Sequence, residues 1–114
     1  MGDRISIQFE NDGNKSVVLF SHWGGKDFLN EAIEYIKKLK KERKGTVEPL
    51  DRFEPQTVMV DFIRHLTKNE ERITSNYYFG FDEDDGDNSD NGHFCIDLIK
   101  INIKFHTEKN WNSL

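Results

Sequence analysis

The chain has one cysteine, Cys95, among its 114 residues, which excludes an internal disulfide. It has no apolar run long enough to span a membrane and no N-terminal stretch with the shape of a secretory signal. These absences predict a cytoplasmic protein with no membrane partner. The short Met1-Gly2-Asp3-Arg4-Ile5-Ser6 start fits the loose N-myristoylation pattern, which has meaning only in a cell that carries the transferase. Recognisable catalytic signatures are missing as well. There is no His-Glu-x-x-His, no phosphate loop and no dinucleotide fingerprint, so the residues name no reaction.

Charge is abundant but unevenly placed. The formal net charge is −5, yet Asp82, Glu83, Asp84, Asp85, Asp87 and Asp90 account for all of it. A positive run, Lys37, Lys38, Lys40, Lys41, Arg43 and Lys44, lies far from that acidic stretch. It is short, and at the end of a predicted helix it complements the negative end of the helix dipole. Set against an acidic chain, it argues against a nucleic-acid partner. Nine Phe, two Trp and three Tyr supply the large apolar side chains that one small core needs.

Ile5, Ile7 and Phe9 alternate with Ser6, Gln8 and Glu10, the period of a half-buried strand. Asn11-Asp12-Gly13-Asn14 supplies a turn, and the apolar Val17-Val18-Leu19-Phe20 returns as a second strand. Phe28, Leu29, Ala32, Ile33, Tyr35, Ile36 and Leu39 follow at helical spacing, with Asp27 as the expected N-cap and Gly45 as the expected stop. After a linker with Pro49, Pro55 suits the first turn of a second helix carrying Val58, Met59, Phe62, Ile63 and Leu66. Tyr77 to Phe81 reads as an aromatic strand leading into the acidic loop. In the last stretch Phe94, Ile96 and Leu98 have one parity and Ile99, Ile101, Ile103 and Phe105 the other, which requires a bulge or a break between two strands.

These elements predict one α+β domain over residues 1–106, an antiparallel sheet of about four or five strands in the order β-β-α-α-β-β with two helices on one face. Residues 107–114 form a polar C-terminal tail whose large side chain is Trp111.

Three constellations are candidates for function. Ser21-His22-Trp23-Gly24-Gly25 falls where a strand gives way to a helix, so His22 and the N–H groups beside Gly24 and Gly25 are placed to meet a small anion. The bland alternative is a tight turn with Trp23 in the core. Asp87, Ser89, Asn91 and Gly92 match the opening of a calcium loop, but Leu98 stands where the bidentate Glu belongs. A divalent cation site of another kind and a solvated hairpin connection are the two readings left. His93, Cys95 and Asp97 share one strand face. Two-residue spacing separates them by roughly 7 Å, too far for a nucleophile–base pair. His93 and Asp97 could instead join His22 around a metal.

Gly2-Asp3-Arg4, Ser21-His22-Trp23-Gly24-Gly25 and Asp90-Asn91-Gly92-His93 together resemble a loose group of short phage and prokaryotic proteins. That group shares an N-terminal Gly-Asp-Arg, a His-Trp-x-Gly turn and an Asp-Asn-x-His segment before a late strand. No activity is implied by the resemblance. It implies instead that Asp3, Arg4, the His-Trp turn and the His93 strand converge in space.

The functional expectation is a small binding protein, of the kind a phage or mobile element encodes as an accessory factor, meeting a host protein or a small anionic ligand without a cofactor. The alternatives are a small metal-dependent or hydrolytic enzyme using His22, His93 and Asp97, and a structural homo-oligomer that pairs through a sheet edge. An exposed Trp23 or Tyr77/Tyr78 patch favours the first, a shared shell of the three side chains the second.

Overall fold

The computed structural model describes residues 2–42, 52–68 and 76–107, the stretch 102–107 by its backbone. The expected Gly45 stop, the run's end at Arg43 and Lys44, Pro49 and residues 108–114 of the expected tail, Trp111 among them, lie outside the described residues; Thr107, the expected start of that tail, instead ends a strand. So do the side chains of Ile103 and Phe105.

The chain folds as a single α+β domain. Strands β1 (Ile5–Asn11), β2 (Asn14–Lys15) and β3 (Val18–Ser21) precede helices α1 (Gly25–Glu42) and α2 (Pro55–Thr67). Strands β4 (Tyr77–Gly80), β5 (His93–Asp97) and β6 (Asn102–Thr107) follow. The sheet order is β4-β3-β1-β5-β6, with β2 attached to β1. Neighbours run antiparallel except the central pair β1 and β5, which is parallel with Ile7 opposite Phe94.

The first turn obeys its local chemistry. Asp12 and Gly13 both take positive φ, 52° and 85°, as a two-residue hairpin with the right twist demands. The register between β1 and its return then shifts by one residue, from Glu10 opposite Lys15 to Ile7 opposite Leu19. Ser16 occupies that irregularity: its N–H bonds the Phe9 carbonyl, and its hydroxyl accepts the Phe9 N–H at 2.9 Å. The second strand is therefore Val18–Ser21, one residue later than the apolar run predicts.

The core lies between the sheet and the two helices. Ile5, Ile7, Phe9, Leu19, Phe94 and Ile96 meet Phe28, Ile36, Met59 and Phe62 there. Pro55 opens α2 as expected, behind the extended Glu54. For α1 the expectation is corrected at its start. The helix begins at Gly25, and the Gly24 carbonyl accepts the N–H groups of Asp27 and Phe28, so Asp27 sits inside the first turn and is not the cap. The late parity change is a break into two strands. Asp97 Oδ1 accepts the N–H groups of Ile99 and Lys100, and Ile101 takes a φ of 54° before β6 returns.

The largest departure from the sequence reading concerns the acidic stretch. Strands β4 and β5 are not neighbours, so residues 81–92 are not a hairpin connection; they cross β3 and β1 over the sheet face opposite the helices. Gly86 lies so close to Phe20 and Tyr78 that a Cβ there would come within 2.8 Å of Phe20 Cδ2 and 2.6 Å of Tyr78 Cε2. β1 is consequently buried on both faces rather than half-buried, with Ser6, Gln8 and Glu10 all inside. Phe20 stacks on Tyr78 beneath the crossing, ring centroids 5.0 Å apart. No helix among the described residues is long and apolar enough to cross a membrane.

Candidate functional site

The segments Gly2-Asp3-Arg4, Ser21-His22-Trp23-Gly24-Gly25 and Asp90-Asn91-Gly92 come together at the end of the sheet where β1 begins. The Asp3 N–H bonds the His22 carbonyl at 2.9 Å, and the Gly25 N–H bonds the Asp3 carbonyl at 3.1 Å. Asn91 donates its side-chain amide to Asp3 Oδ1 at 2.7 Å and to the Arg4 carbonyl at 3.0 Å. Arg4 donates its N–H to Asp90 Oδ2 at 2.9 Å, and its guanidinium pairs with Asp87 at 3.2 Å. Residues 3 and 4 are thus a splice between the His-Trp turn and the crossing segment.

This arrangement answers what the glycine pair is for. Gly25 has a φ of 48°, and a Cβ there would lie 2.4 Å from Asp3 Oδ2. The protein's own carboxylate packs against the first turn of α1, where an anion is favoured. His22 is half-buried and leans on Tyr78, ring centroids 5.2 Å apart. Trp23 is 55% exposed, so it is not a core residue.

The acidic residues serve the crossing segment itself. Asp85 Oδ2 accepts the N–H groups of Phe81 and Asp82, and Asp82 Oδ1 accepts that of Asp84. Asp87 Oδ1 accepts the Ser89 N–H at 3.0 Å. Its two bonds to Ser89, with Arg4 and His22 nearby, hold the Asp87 carboxyl below the usual carboxylate range. The sequence-proposed cation ligands Asp87, Ser89 and Asn91 are therefore engaged with Arg4, with each other and with Asp3. No three His, Cys, Asp or Glu side chains group as a metal shell among the described residues.

His93 belongs to a different structure, a buried polar chain on the sheet face beneath the crossing. Its Nδ1 lies 2.8 Å from Ser6 Oγ and its Nε2 2.9 Å from Gln8 Oε1. Asn88 donates to Ser6 Oγ at 2.9 Å, and Gln8 Nε2 donates to the Ser16 carbonyl at 3.1 Å. Gln8 Oε1 can only accept, so Nε2 carries the imidazole proton and Nδ1 accepts from Ser6. The bonds then run in one direction from Asn88 to Ser16, each polarising the next. Burial pushes the His93 pKa down, Lys15 adds to that, and the Glu83 and Asp84 carboxylates oppose it.

His22, His93 and Asp97 do not share a shell. β3 and β5 flank β1, so two strand spacings of about 4.8 Å separate His22 from His93 before any offset along the strands. Asp97 stands four residues further along β5, about 13 Å from His93, and its Oδ1 is held by the turn that follows. Cys95 is buried. The metal or hydrolase centre drawn from these residues is thus not assembled, because a shared strand face does not mean a shared end.

Two features were not readable as sites. One is an open polar notch of about 170 Å³ between the helices, lined among others by Tyr35, Lys38, Asp61, Arg64 and His65. Asp61 there already accepts from the Tyr35 hydroxyl and pairs with Arg64, while His65 faces Glu31. The other is the outer edge of β4. No described strand pairs with it, and Phe79, 54% exposed, and Phe81, 90% exposed, lie along it. Trp23 adjoins the same edge, its N–H bonded to Asn76 Oδ1 at 3.1 Å. The aromatic run from Tyr77 and the exposed Trp23 were visible in the sequence as separate features; their meeting at one edge was not. No protein-family model, curated protein or solved structure matches the chain.

Proposed function

We propose that this protein works by binding another polypeptide, which adds as an extended strand to the outer edge of β4. The observation that carries this reading is that three of the exposed large hydrophobics, Trp23, Phe79 and Phe81, lie along one sheet edge that no described strand covers, from beside the start of β4 to just past its end. An edge strand presents a row of backbone donors and acceptors, and proteins that avoid such pairing place charges or proline there. β4 is Tyr-Tyr-Phe-Gly and has neither. β6, at the other edge, carries Lys104 and His106.

The backbone sense of β4 supports the same reading. The His22 N–H bonds the Asn76 carbonyl, and in an antiparallel ladder such bonds alternate residue by residue. Asn76, Tyr78 and Gly80 therefore turn their backbone groups toward β3, while Phe79 turns its N–H and C=O outward. Phe79→Pro removes that outward donor together with the exposed ring and leaves the bonds of β4 to β3 in place, a change an edge strand accommodates.

The test uses labelled eight-residue peptides that alternate aromatic and polar side chains, titrated against the protein by fluorescence anisotropy. The wild type is expected to bind them and Phe79→Pro to bind at least about tenfold more weakly, with an unchanged circular dichroism spectrum. Equal binding by the two proteins, or none by a wild type that is monomeric, refutes the proposal.

A further inference from the structure

We infer that the polypeptide received at β4 is a second copy of this chain, paired two-fold and antiparallel with Phe79 facing Phe79 of the partner. The inference rests on the edge-binding reading above and supplies its partner. Two copies related by an axis perpendicular to the sheet keep their helix faces on the same side, so facing residues must have the same parity along the strand. Centring the axis on Phe79 meets that condition. Phe79 is also the residue whose backbone groups point outward, so the two copies exchange both hydrogen bonds at the centre.

The side chains then fall into place. In this register Tyr77 of each copy faces Phe81 of the other, on the same face as the central Phe79 pair. Trp23, bonded to Asn76 beside the start of β4, stands next to the end that the partner's Phe81 reaches. All three exposed aromatics along the edge are covered by one operation. Their exposed surface amounts to roughly 400 Å² per copy, about half of what each partner contributes to a standard interface, so the dimer is expected to be reversible.

Charge selects the direction. A parallel pairing sets the Asp82-Glu83-Asp84-Asp85 stretches side by side, whereas the antiparallel pairing carries them to opposite ends of the joined strands. Asp85 also takes the Phe81 N–H at 2.6 Å, which ends the ladder at that residue and stops it from growing into a longer ribbon.

Sedimentation velocity over a concentration series tests the mass, and cysteine cross-linking tests the register. The wild type is expected to shift toward twice its 13.4 kDa as concentration rises, and Phe79→Lys and Phe79→Pro to weaken that association at least about tenfold. Under mild oxidation Phe79→Cys is expected to give a disulfide-linked dimer, because facing Cα atoms about 5.5 Å apart suit a disulfide. Phe81→Cys, which faces Tyr77, is expected not to, and the native Cys95 is buried. A wild type that stays monomeric while Phe79→Pro still abolishes binding of the alternating peptides overturns the self-pairing and leaves the edge reading standing. A monomer that binds no peptide overturns both. A dimer that Phe79→Lys and Phe79→Pro leave intact, or that cross-links through position 81, overturns the proposed pairing.

Discussion

Protonation of His93 is the perturbation to which the buried polar chain is most sensitive. The folded state holds a neutral imidazole that donates from Nε2 to Gln8 and accepts at Nδ1 from Ser6. A second proton on the ring turns the Ser6 contact into a clash of two donors unless the hydroxyl reverses, and reversal takes the Nδ1 acceptor away from the hydroxyl's own proton. Burial sets the folded pKa below that of an ordinary histidine. The unfolded chain takes up its proton near pH 6.5. Above that value the contribution of neutral His93 to stability is complete. As the pH falls below it, the unfolded state binds a proton that the folded state does not, and stability drops by up to about 1.4 kcal/mol per pH unit until the folded pKa is reached. Glu83 and Asp84 raise that lower limit and so shorten the window. Urea unfolding followed by circular dichroism between about pH 8 and pH 5, for the wild type and His93→Gln, isolates the effect. The wild type is expected to lose stability relative to the variant as the pH falls. At the upper end of the range, His93→Ala is expected to cost about 2–4 kcal/mol, because a buried cavity opens and Gln8 loses its donor. Parallel stability curves for wild type and His93→Gln would falsify the assignment of a neutral, depressed His93.

Four further substitutions probe the contacts that hold the two sheet faces and the N-terminal splice. Gly25→Ala is expected to destabilise by about 2–3 kcal/mol, from a left-handed φ and a collision with Asp3. In an Asp3→Ala background the collision is gone and about 1 kcal/mol should remain, a coupling that a double-mutant cycle in urea reads directly. Asn91→Ala removes a nearly buried amide that bonds both Asp3 and the Arg4 carbonyl and should cost about 1–3 kcal/mol. Arg4→Ala breaks the part-exposed pairs to Asp87 and Asp90 and should cost under about 1 kcal/mol; reversal of that order counts against the splice. Gly86→Ala drives a methyl into Phe20 and Tyr78, so its thermal midpoint should fall and amide exchange should quicken over residues 82–92 first. A Gly86→Ala protein with unchanged exchange there shows that the crossing does not rest on those rings.

Periodicity carried the local structure because each element's buried stripe is set by residues close in sequence. Ile5, Ile7 and Phe9, the three- and four-residue spacing after Phe28, and Pro55 each report on one strand or one helix. What periodicity does not report is which strands are neighbours. The acidic stretch looked like a solvated turn because Asp82 to Asp90 are charged. Its cost of approach to the sheet is met by its own N–H groups, which the carboxylates accept, and that pairing is invisible in composition. A signal was nevertheless present. Val18 and Phe20 share a parity opposite to Leu19, so an apolar face of β3 away from the helices needed a cover. Among the site candidates, Asp3, Arg4 and the His-Trp turn meet because short strands bring their ends together. His93 and Asp97 do not meet, since a shared strand face leaves them about 13 Å apart.

The two faces of the sheet are now accounted for, one by α1 and α2, the other by the crossing segment. What remains bare among the described residues is the β4 edge, and the energetics of a lone monomer give it no reason to be so. A buried Phe contributes about 1.5–3 kcal/mol over an exposed one, yet Phe81 is almost wholly exposed. It is also held in place, because Asp85 accepts both its N–H and that of Asp82, and ordering a backbone costs entropy that an exposed ring does not return. Phe79 is likewise held by the ladder to β3 with half its surface in water. Fixed, apolar and uncovered groups gain their stabilisation only when something covers them. The two covers consistent with the outward Phe79 backbone groups are a foreign strand and the same strand of another copy, and the absence of any charge in β4 removes the usual barrier to the second.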